Sequence, residues 1–376
     1  MDQAKQEAFG RRMSDILNGG ALNLAMAIGY RTGLFEAMAT FTTAQPIEAI
    51  AEQAGLHPRY VREWLGIMVT ADIVELERRP AGNGYRLPPE HAAFLTRDGG
   101  NTNLAVYTQE IPLLTLCALE QVIEAFPQGT GIPYRHYPRF QAFMTELANA
   151  KHRQVLLETF LPSVDEGRLL DRLQQGIRVC DFGCGEGTAL LLMAQAYPRS
   201  RFTAIDIDAQ AVAAGRAEAR RLGLNNTEFL CLDAATLYQE PDRARTFDYI
   251  LAFDAIHDQS APLQALQSVY HMLAPDGLFS MIDIAAHTDH RDNRSHPLGP
   301  FLYTVSLMHC LPVGLNEGGA GLGMMWGQEL AVELLRQAGF EQIAVEAIPR
   351  DPFNLHFCCR KEKNPPGRPG VMHREP

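Results

Sequence analysis

The chain has 376 residues, 46% of them hydrophobic, and a formal net charge of −11. That length asks for two domains rather than one core, and no stretch approaches the roughly 20 uninterrupted apolar residues of a membrane helix. The acidic balance speaks against nucleic acid as the main partner, because phosphate binding needs clustered Lys and Arg.

The N-terminal run Met1 to Glu7 is charged and lacks an apolar signal core, so a cytoplasmic protein is expected. The seven cysteines show no paired zinc-like spacing. Cys180, Cys184 and Cys231 sit in or beside apolar strand patterns and read as reduced thiols. Residues 4–40 carry helical periodicity, interrupted by turn glycines at 19, 20, 29 and 33. Pro46 to Gly55 reads as a short helix ended by its glycine, and Pro58 to Thr70 as a second with proline in its first turn. Ile73 to Glu77 alternates like a strand, Arg79 to Gly84 turns, and Tyr85 to Leu87 returns. Helix, turn, helix and hairpin in that order is a winged-helix pattern. The second helix offers only Arg59 and Arg62 beside Glu63, on a body of Val61, Trp64, Leu65 and Met68. It is too apolar for a major groove, so packing and dimerisation are its expected roles.

Two long helices are expected over 103–126 and 138–161, around a Pro/Gly/Tyr-rich loop, bridging the domains and walling one side of a site. From Gly176 strands and helices alternate, the mark of a parallel α/β sheet. Strands are predicted at 177–182, 202–206, 227–231, 247–253, 278–283, 342–348 and 354–359. Helices are predicted at 187–197, 209–222, 261–274 and 327–338. The expected division is a helical winged-helix and dimerisation region over 1–165, a ligand-binding domain over 166–363, and a disordered tail over 364–376.

The first predicted strand of the sheet ends in Asp181-Phe182-Gly183-Cys184-Gly185-Glu186-Gly187. A buried strand, a glycine turn and a helix start cradle a nucleotide-like ligand. Thr188 breaks the dinucleotide spacing, leaving glycines alternating at 183, 185 and 187 behind Asp181. This segment resembles class I S-adenosylmethionine-dependent methyltransferases, which implies a Rossmann-like sheet and S-adenosylmethionine as cofactor. On that resemblance Asp181 lies near the methionine ammonium and Gly183, Gly185 and Gly187 lie against the methionine. Asp206 takes the ribose, Asp233 the adenine amino group, and Leu232 and Ala234 cover the ring. Phe253 and Asp254 face the methionine and the reacting centre.

The run Phe253-Asp254-Ala255-Ile256-His257-Asp258-Gln259 resembles small-molecule O-methyltransferases of the plant phenolic and hydroxyindole type. Those enzymes also carry an N-terminal winged-helix dimerisation domain, so the resemblance covers most of residues 10–360 and implies a homodimer. It implies His257 as general base, with Asp258 or another nearby carboxylate holding its tautomer. A phenolic hydroxyl has a pKa near ~10 and imidazole near ~6.5, so neutral His can take the proton as the oxygen attacks the methyl. Gln259 stands where that family has Trp, and residues 285–326 leave the plant pattern. The nearer resemblance is to a bacterial group, including a mycobacterial methyltransferase, that pairs a similar N-terminal domain with this His-Asp-Gln variant.

Residues 285–326 read as a long irregular insertion, expected to close over the methyl group as a lid. Phe301, Tyr303, Met308, His309 and Trp326 are its candidate substrate-binding residues. His287, Asp289 and His290 lack a convincing spacing with a fourth ligand, so no residue set is assigned to a metal. The expected activity is methyl transfer to a small molecule, most simply to a hydroxyl oxygen, without nucleic acid or membrane as partner. Two alternatives stay open: a small-molecule N-methyltransferase, and a winged-helix regulator using the methyltransferase domain as a metabolite sensor.

Overall fold

The computed structural model describes residues 1–80, 82–349 and 351–361. The tail expected to be disordered, 364–376, lies outside them. Contacts divide the chain into two compact units, Met1–Leu116 and Cys117–Pro376. The sequence reading puts its boundary at 165/166, whereas the contacts group the helix over 138–155 with the second unit. The reason is visible in its anchors: His152 packs on Phe253, and Lys151 pairs with Asp351.

In the first unit a 30-residue helix α1 (Gln3–Thr32) is followed by α2 (Leu34–Ala39), α3 (Ile47–Ala54) and α4 (Pro58–Thr70). Strands β1 (Glu75–Arg79) and β2 (Gly82–Arg86) pair antiparallel as the wing, Glu75 opposite Arg86, before α5 (Pro89–Leu95). The apolar residues of α4 turn inward: Val61, Trp64, Leu65 and Met68 are buried with Phe35 and Ile50. Trp64 meets Phe35 edge-on at 5.2 Å, and its indole N–H donates to Ala25 O at 2.9 Å. The apolar body of α4 is therefore core. What its outer face offers is Arg59, Tyr60, Arg62 and Glu63, with Arg59 already on Glu63 at 2.5 Å.

Helix α6 (Glu110–Ala125), preceded by a 3₁₀ turn over Ala105–Gln109, crosses the boundary between the units. The second unit continues with α7 (Pro138–Val155), which ends in a π turn over Leu156–Phe160 rather than running on to 161. The one-turn α8 (Leu161–Ser163) and α9 (Arg168–Gln175) lead into the sheet. Its elements are β3 (Arg178–Phe182), α10 (Thr188–Ala196), β4 (Arg201–Asp206), α11 (Ala209–Arg221), β5 (Thr227–Cys231) and β6 (Phe247–Phe253). Then come α12 (Pro262–Met272), β7 (Leu273–Ile284), α13 (Gly299–Val305), α14 (Leu311–Leu315), α15 (Gln328–Ala338), β8 (Gln342–Ile348) and β9 (Asp351–Arg360).

The order across the sheet is β5-β4-β3-β6-β7-β9-β8, with β5 through β7 parallel and β9 antiparallel to both of its neighbours. The strands alternate between two apolar layers, as a sheet covered on both faces requires. Cys180, Phe182, Ile250, Ala252, Phe279 and Met281 point to one layer with α12 and α15. Val179, Phe202, Ala204, Tyr249, Leu251 and Leu278 point to the other with α10 and the π turn. A fully buried side chain such as Leu190 or Leu251 contributes about 1.5–3 kcal/mol.

Two expectations about boundaries need correction. The strand expected to begin at 278 begins at Leu273, with Pro275–Gly277 an irregularity inside β7, because pairing slips between Phe247 and Tyr249. The segment 285–326 is mostly helical, holding α13, a π turn over Ser306–Cys310 and α14. Its glycines cluster after Leu315 in irregular chain, and residues 285–291 and 296–298 are irregular as well.

Gly215 sets how closely α11 lies on the sheet: a Cβ built there meets Phe229 Cε1 at 2.2 Å and Glu186 O at 2.6 Å. Gly215→Ala is expected to destabilise the protein by about 1–3 kcal/mol through overpacking. A urea unfolding midpoint equal to wild type would show that the layer can give way.

Candidate active site

The strand order reverses between β3 and β6, and the carboxyl ends of β3, β4, β6 and β7 converge beside that reversal, where open α/β sheets bind ligands. At the end of β3 the backbone turns through Gly183, Gly185 and Gly187, with φ of 72°, 54° and 74°. Those values lie in the left-handed region, where a side chain is strained. Gly183 also has to pass Ala255, whose Cβ would stand 2.6 Å from its own. Nothing lies within 4 Å of a Cβ built on Gly185, so the turn is open on that side.

Asp206 at the end of β4 fixes this turn: Oδ2 accepts from Gly185 N–H at 2.7 Å and Oδ1 from Asp208 N–H at 2.9 Å. Burial pushes its pKa up. Asp181 is buried beneath the turn, and burial, with the nearby charge of Asp206, raises it to about 7 while the Leu190 N–H opposes the rise. Asp233 is exposed and caps a 3₁₀ turn by accepting from Ala235 N–H at 2.9 Å. Its neighbours differ: Ala234 is buried in the core, and Leu232 packs on that core partly covered.

After β6 the chain makes a strained bend at Asp254, with φ of 47°. Its N–H donates to Ile282 O at 2.9 Å, and its Oδ1 accepts from Asn354 Nδ2 at 2.5 Å. Lys151 of α7 reaches the same corner, donating to Asn354 Oδ1 at 3.1 Å and pairing with Asp351 at 2.6 Å. Desolvation of its carboxyl raises Asp254 to about 6, moderated by the charge of Lys151, although the residue as a whole is exposed. Phe253 carries two aromatic neighbours, Phe160 at 5.3 Å and His152 at 4.7 Å. Burial holds His152 down to about 4, and its Nδ1 has no partner.

His257 follows three residues on, anchored by the buried Ile256, and is itself 3% exposed. Its Nδ1 donates to Asp283 Oδ1 at 2.7 Å, and Asp283, at the end of β7, is 1% exposed. Asp283 Oδ1 also accepts from Ile284 N–H at 2.8 Å. The imidazole is thus oriented by Asp283. Asp258 lies on the other side, its Oδ1 3.5 Å from His257 Nε2. Burial alone would lower the His257 pKa, but the charges of Asp283 and Asp258 outweigh it and hold it well above the ordinary imidazole value.

Beyond Asp258 stands an aromatic group. His309, on the π turn, packs between Tyr137 and Phe140, both at 4.8 Å, with Tyr134 at 5.8 Å. Tyr137 O–H donates to Met308 O at 2.9 Å and so ties this turn to the start of α7. Burial lowers the His309 pKa, and its Nε2 is buried without a partner. Burial of its hydroxyl and the charges of Asp258, Asp206 and Asp208 raise the pKa of Tyr134, a residue that is 47% exposed as a whole. Cys310 is buried beside them, its thiol pushed up to about 12 by burial and by Asp258.

Of the residues expected from sequence, the structure brings together Asp181, the three glycines and Asp206, and separately His257, Asp258, Met308 and His309. Phe301 and Tyr303 pack instead against Ile284, Ala286, Leu302 and Met325. Tyr303 O–H accepts from Asn293 Nδ2 at 3.0 Å. Trp326 is core, with Ile256 and Leu335. Asp283, Cys310, Tyr134, Tyr137 and Lys151 were not singled out in the sequence, and nothing in their local spacing marks them. Among the described residues, the His, Cys, Asp and Glu side chains close enough to share a metal ion are those of His257, Asp258 and Cys310.

Residues 20–97 match the family model of the Rv2258c-like winged HTH domain, and residues 173–309 that of a methyltransferase domain. Over 117 residues the chain is 31% identical to the (S)-coclaurine N-methyltransferase of Thalictrum flavum subsp. glaucum, a stretch covering 31% of each protein. Over 111 residues it is 30% identical to the tRNA (guanine-N(7)-)-methyltransferase of Yersinia enterocolitica, covering 27% of this chain and 46% of that one. The chain thus spans less than half the length of these curated relatives. The solved structure of human N-acetylserotonin methyltransferase in complex with SAM covers 96% of this chain and 99% of its own, with a TM-score of 0.67 at 18% identity. The mitomycin 7-O-methyltransferase MmcR covers 96% and 100%, with a TM-score of 0.64 at 17% identity. These two share the fold of this chain.

A cationic ligand over the glycine turn favours an ionised Asp181, so its binding should tighten as pH rises through about 7. Calorimetric titration with S-adenosylhomocysteine, which carries an ammonium group, checks this. Asp181→Asn is expected to flatten the dependence, whereas the same slope in the variant would assign it to Asp206.

Proposed function

We propose that this protein, a methyltransferase domain joined to a winged helix-turn-helix domain, moves the methyl group of S-adenosylmethionine to a hydroxyl oxygen of a small molecule. The observation that carries the reading is the buried Asp283–His257 pair at the carboxyl edge of the sheet. S-adenosylmethionine supplies an electrophilic methyl on a sulfonium when bound. The residues present suit it: an open glycine turn, a buried Asp181 for the ammonium and Asp206 for the ribose.

Asp206 preorganises the turn by holding Gly185 N–H. Asp283 fixes the orientation of His257, so that Nε2 is the nitrogen that takes the hydroxyl proton once the imidazolium favoured by Asp283 and Asp258 has given up its own to solvent. Tyr134, Tyr137, Phe140 and His309, packed at tilted and edge-on angles, are the aromatic group read as orienting the acceptor and excluding water from the reacting atoms. The 285–326 segment is read as the cover of this half of the pocket. Phe301, Tyr303 and Trp326 contribute to that cover as packing.

A nitrogen acceptor is the second reading, favoured by the likeness to the coclaurine N-methyltransferase. An amine that arrives neutral needs no base, so the two readings separate at His257. Radiolabelled methyl transfer into a metabolite extract tests both. Label in small molecules is expected, with His257→Ala slower by about 10²–10⁴-fold. Undiminished transfer in the variant would sink the base assignment, and label only in macromolecules would overturn the small-molecule acceptor.

The cytoplasm is the proposed setting, in keeping with seven free cysteines and no described helix long and apolar enough to cross a membrane. A homodimer is proposed on the apolar stripe of α1, where Phe9, Met13, Ile16, Leu17, Leu24 and Ile28 are exposed. Leu17→Glu should shift the sedimentation of the protein from dimer toward monomer. A wild-type protein that sediments as a monomer at micromolar concentration removes the dimer from the proposal.

A further inference from the structure

The side of His257 that faces away from Asp283 holds more ligand-type atoms than proton transfer uses. One ligand atom from each of His257, Asp258 and Cys310 lies within 4.8 Å of the others. His257 Nδ1 is committed to Asp283 at 2.7 Å, so Nε2 is the free nitrogen. It stands 3.5 Å from Asp258 Oδ1. That is longer than the 2.7–3.2 Å of an N–H···O bond. It is close to the ~3.3 Å between two ligands bound about 2.0–2.1 Å from one tetrahedral ion. Asp258 Oδ1 is buried and has no hydrogen-bond partner. Cys310 is 4% exposed, and its Sγ, 3.6 Å from His309 Nδ1, lies within the same 4.8 Å group.

We propose that His257 Nε2, Asp258 Oδ1 and Cys310 Sγ form a three-ligand site for a thiophilic divalent cation, zinc by preference, whose occupation blocks methyl transfer. One thiolate, one imidazole and one carboxylate is a donor set for zinc rather than for the harder magnesium or calcium. Three protein ligands leave a fourth position open. Asp283 behind the imidazole completes a carboxylate–histidine–metal arrangement, which orients the ring and raises its donor strength. Binding forms metal–sulfur and metal–nitrogen bonds and releases to solvent both the thiol proton of Cys310 and the Nε2 proton of the imidazolium. The blocking follows from shared use of one lone pair: Nε2 holds the cation or accepts the hydroxyl proton, not both. That second half rests on the function proposed above, while the binding itself does not.

Full-length protein stripped with a chelator is titrated with cobalt(II), then with zinc(II). One cobalt per chain is expected, with the visible bands of a tetrahedral ion and a thiolate charge-transfer band, both lost as zinc displaces it. Cys310→Ser should abolish the charge-transfer band, and Asp283→Asn should keep it while weakening affinity about 10–100-fold. Cys231→Ser, at an exposed thiol, serves as the control that leaves the band intact. Circular dichroism and S-adenosylhomocysteine binding establish that each variant is folded. A missing band, or one that survives Cys310→Ser, overturns the site. Methyl transfer that continues undiminished in zinc-loaded protein overturns the blocking. A cobalt spectrum as described in a protein that methylates nothing supports the site and counts against the proposed function instead.

Discussion

The second unit depends on one constraint: the chain lays β4 and β5 to one side of β3, and must then return to the other side to place β6. At that reversal no crossover covers the carboxyl edge, so the strand ends and the turns after them face a common gap. The glycine turn, the Asp254 bend and the end of β7 all border it. Their polar groups cannot be satisfied by the sheet and turn to one another. Asp206 holds Gly185, Asn354 holds Asp254, and Asp283 holds His257. Each of these bonds joins residues at least 21 positions apart.

The charge balance of the gap follows from the same crowding. Asp181, Asp206 and Asp254 are pushed up by burial, which is the behaviour of carboxyls short of cations. Lys151 is the charge that moderates Asp254, and it arrives on α7 rather than from the sheet. His257 moves the opposite way from His152 and His309 because it alone sits against a buried carboxylate. A pocket so short of positive charge favours a cationic ligand. A sulfonium with an ammonium group meets that need, and a bound metal ion would meet it as well.

The glycine turn at the end of β3 was legible in the sequence because its residues are local. Asp181 to Gly187 is one continuous run, and a strand, a turn and a helix start impose their own residue types on it. The strands of the sheet were legible for a similar reason, since burial on both faces leaves continuous apolar runs that few other elements produce. The first unit's hairpin was legible from the turn residues between Arg79 and Gly84, although Gly82 to Gly84 pair within β2 instead of turning. Two kinds of information were not local. Asp283 closes an apolar strand and looks like an ordinary strand end until the fold sets it 2.7 Å from an imidazole 26 positions earlier. Tyr134, Tyr137 and Lys151 belong to a loop and helix whose composition reads only as packing.

Segment 285–326 takes a shape other than its composition suggests, for a physical reason. It is rich in glycine, histidine and proline, which argues for irregular chain. Its helices are instead held by tertiary bonds: Tyr137 caps Met308 O, Thr288 reaches Trp326 O, and Ile132 N–H reaches Pro312 O. The π turn over Ser306–Cys310 is the consequence that matters for function. An α-helix repeats every 3.6 residues, so a five-residue turn rotates the side chains that follow it relative to those before. Met308, His309 and Cys310 are all buried there, three consecutive side chains that a surface helix would not bury together. Cys310 thereby reaches Asp258, and His309 enters the aromatic group. A periodicity argument expects the opposite of consecutive burial, so the residues most specific to this pocket lie where such an argument carries least.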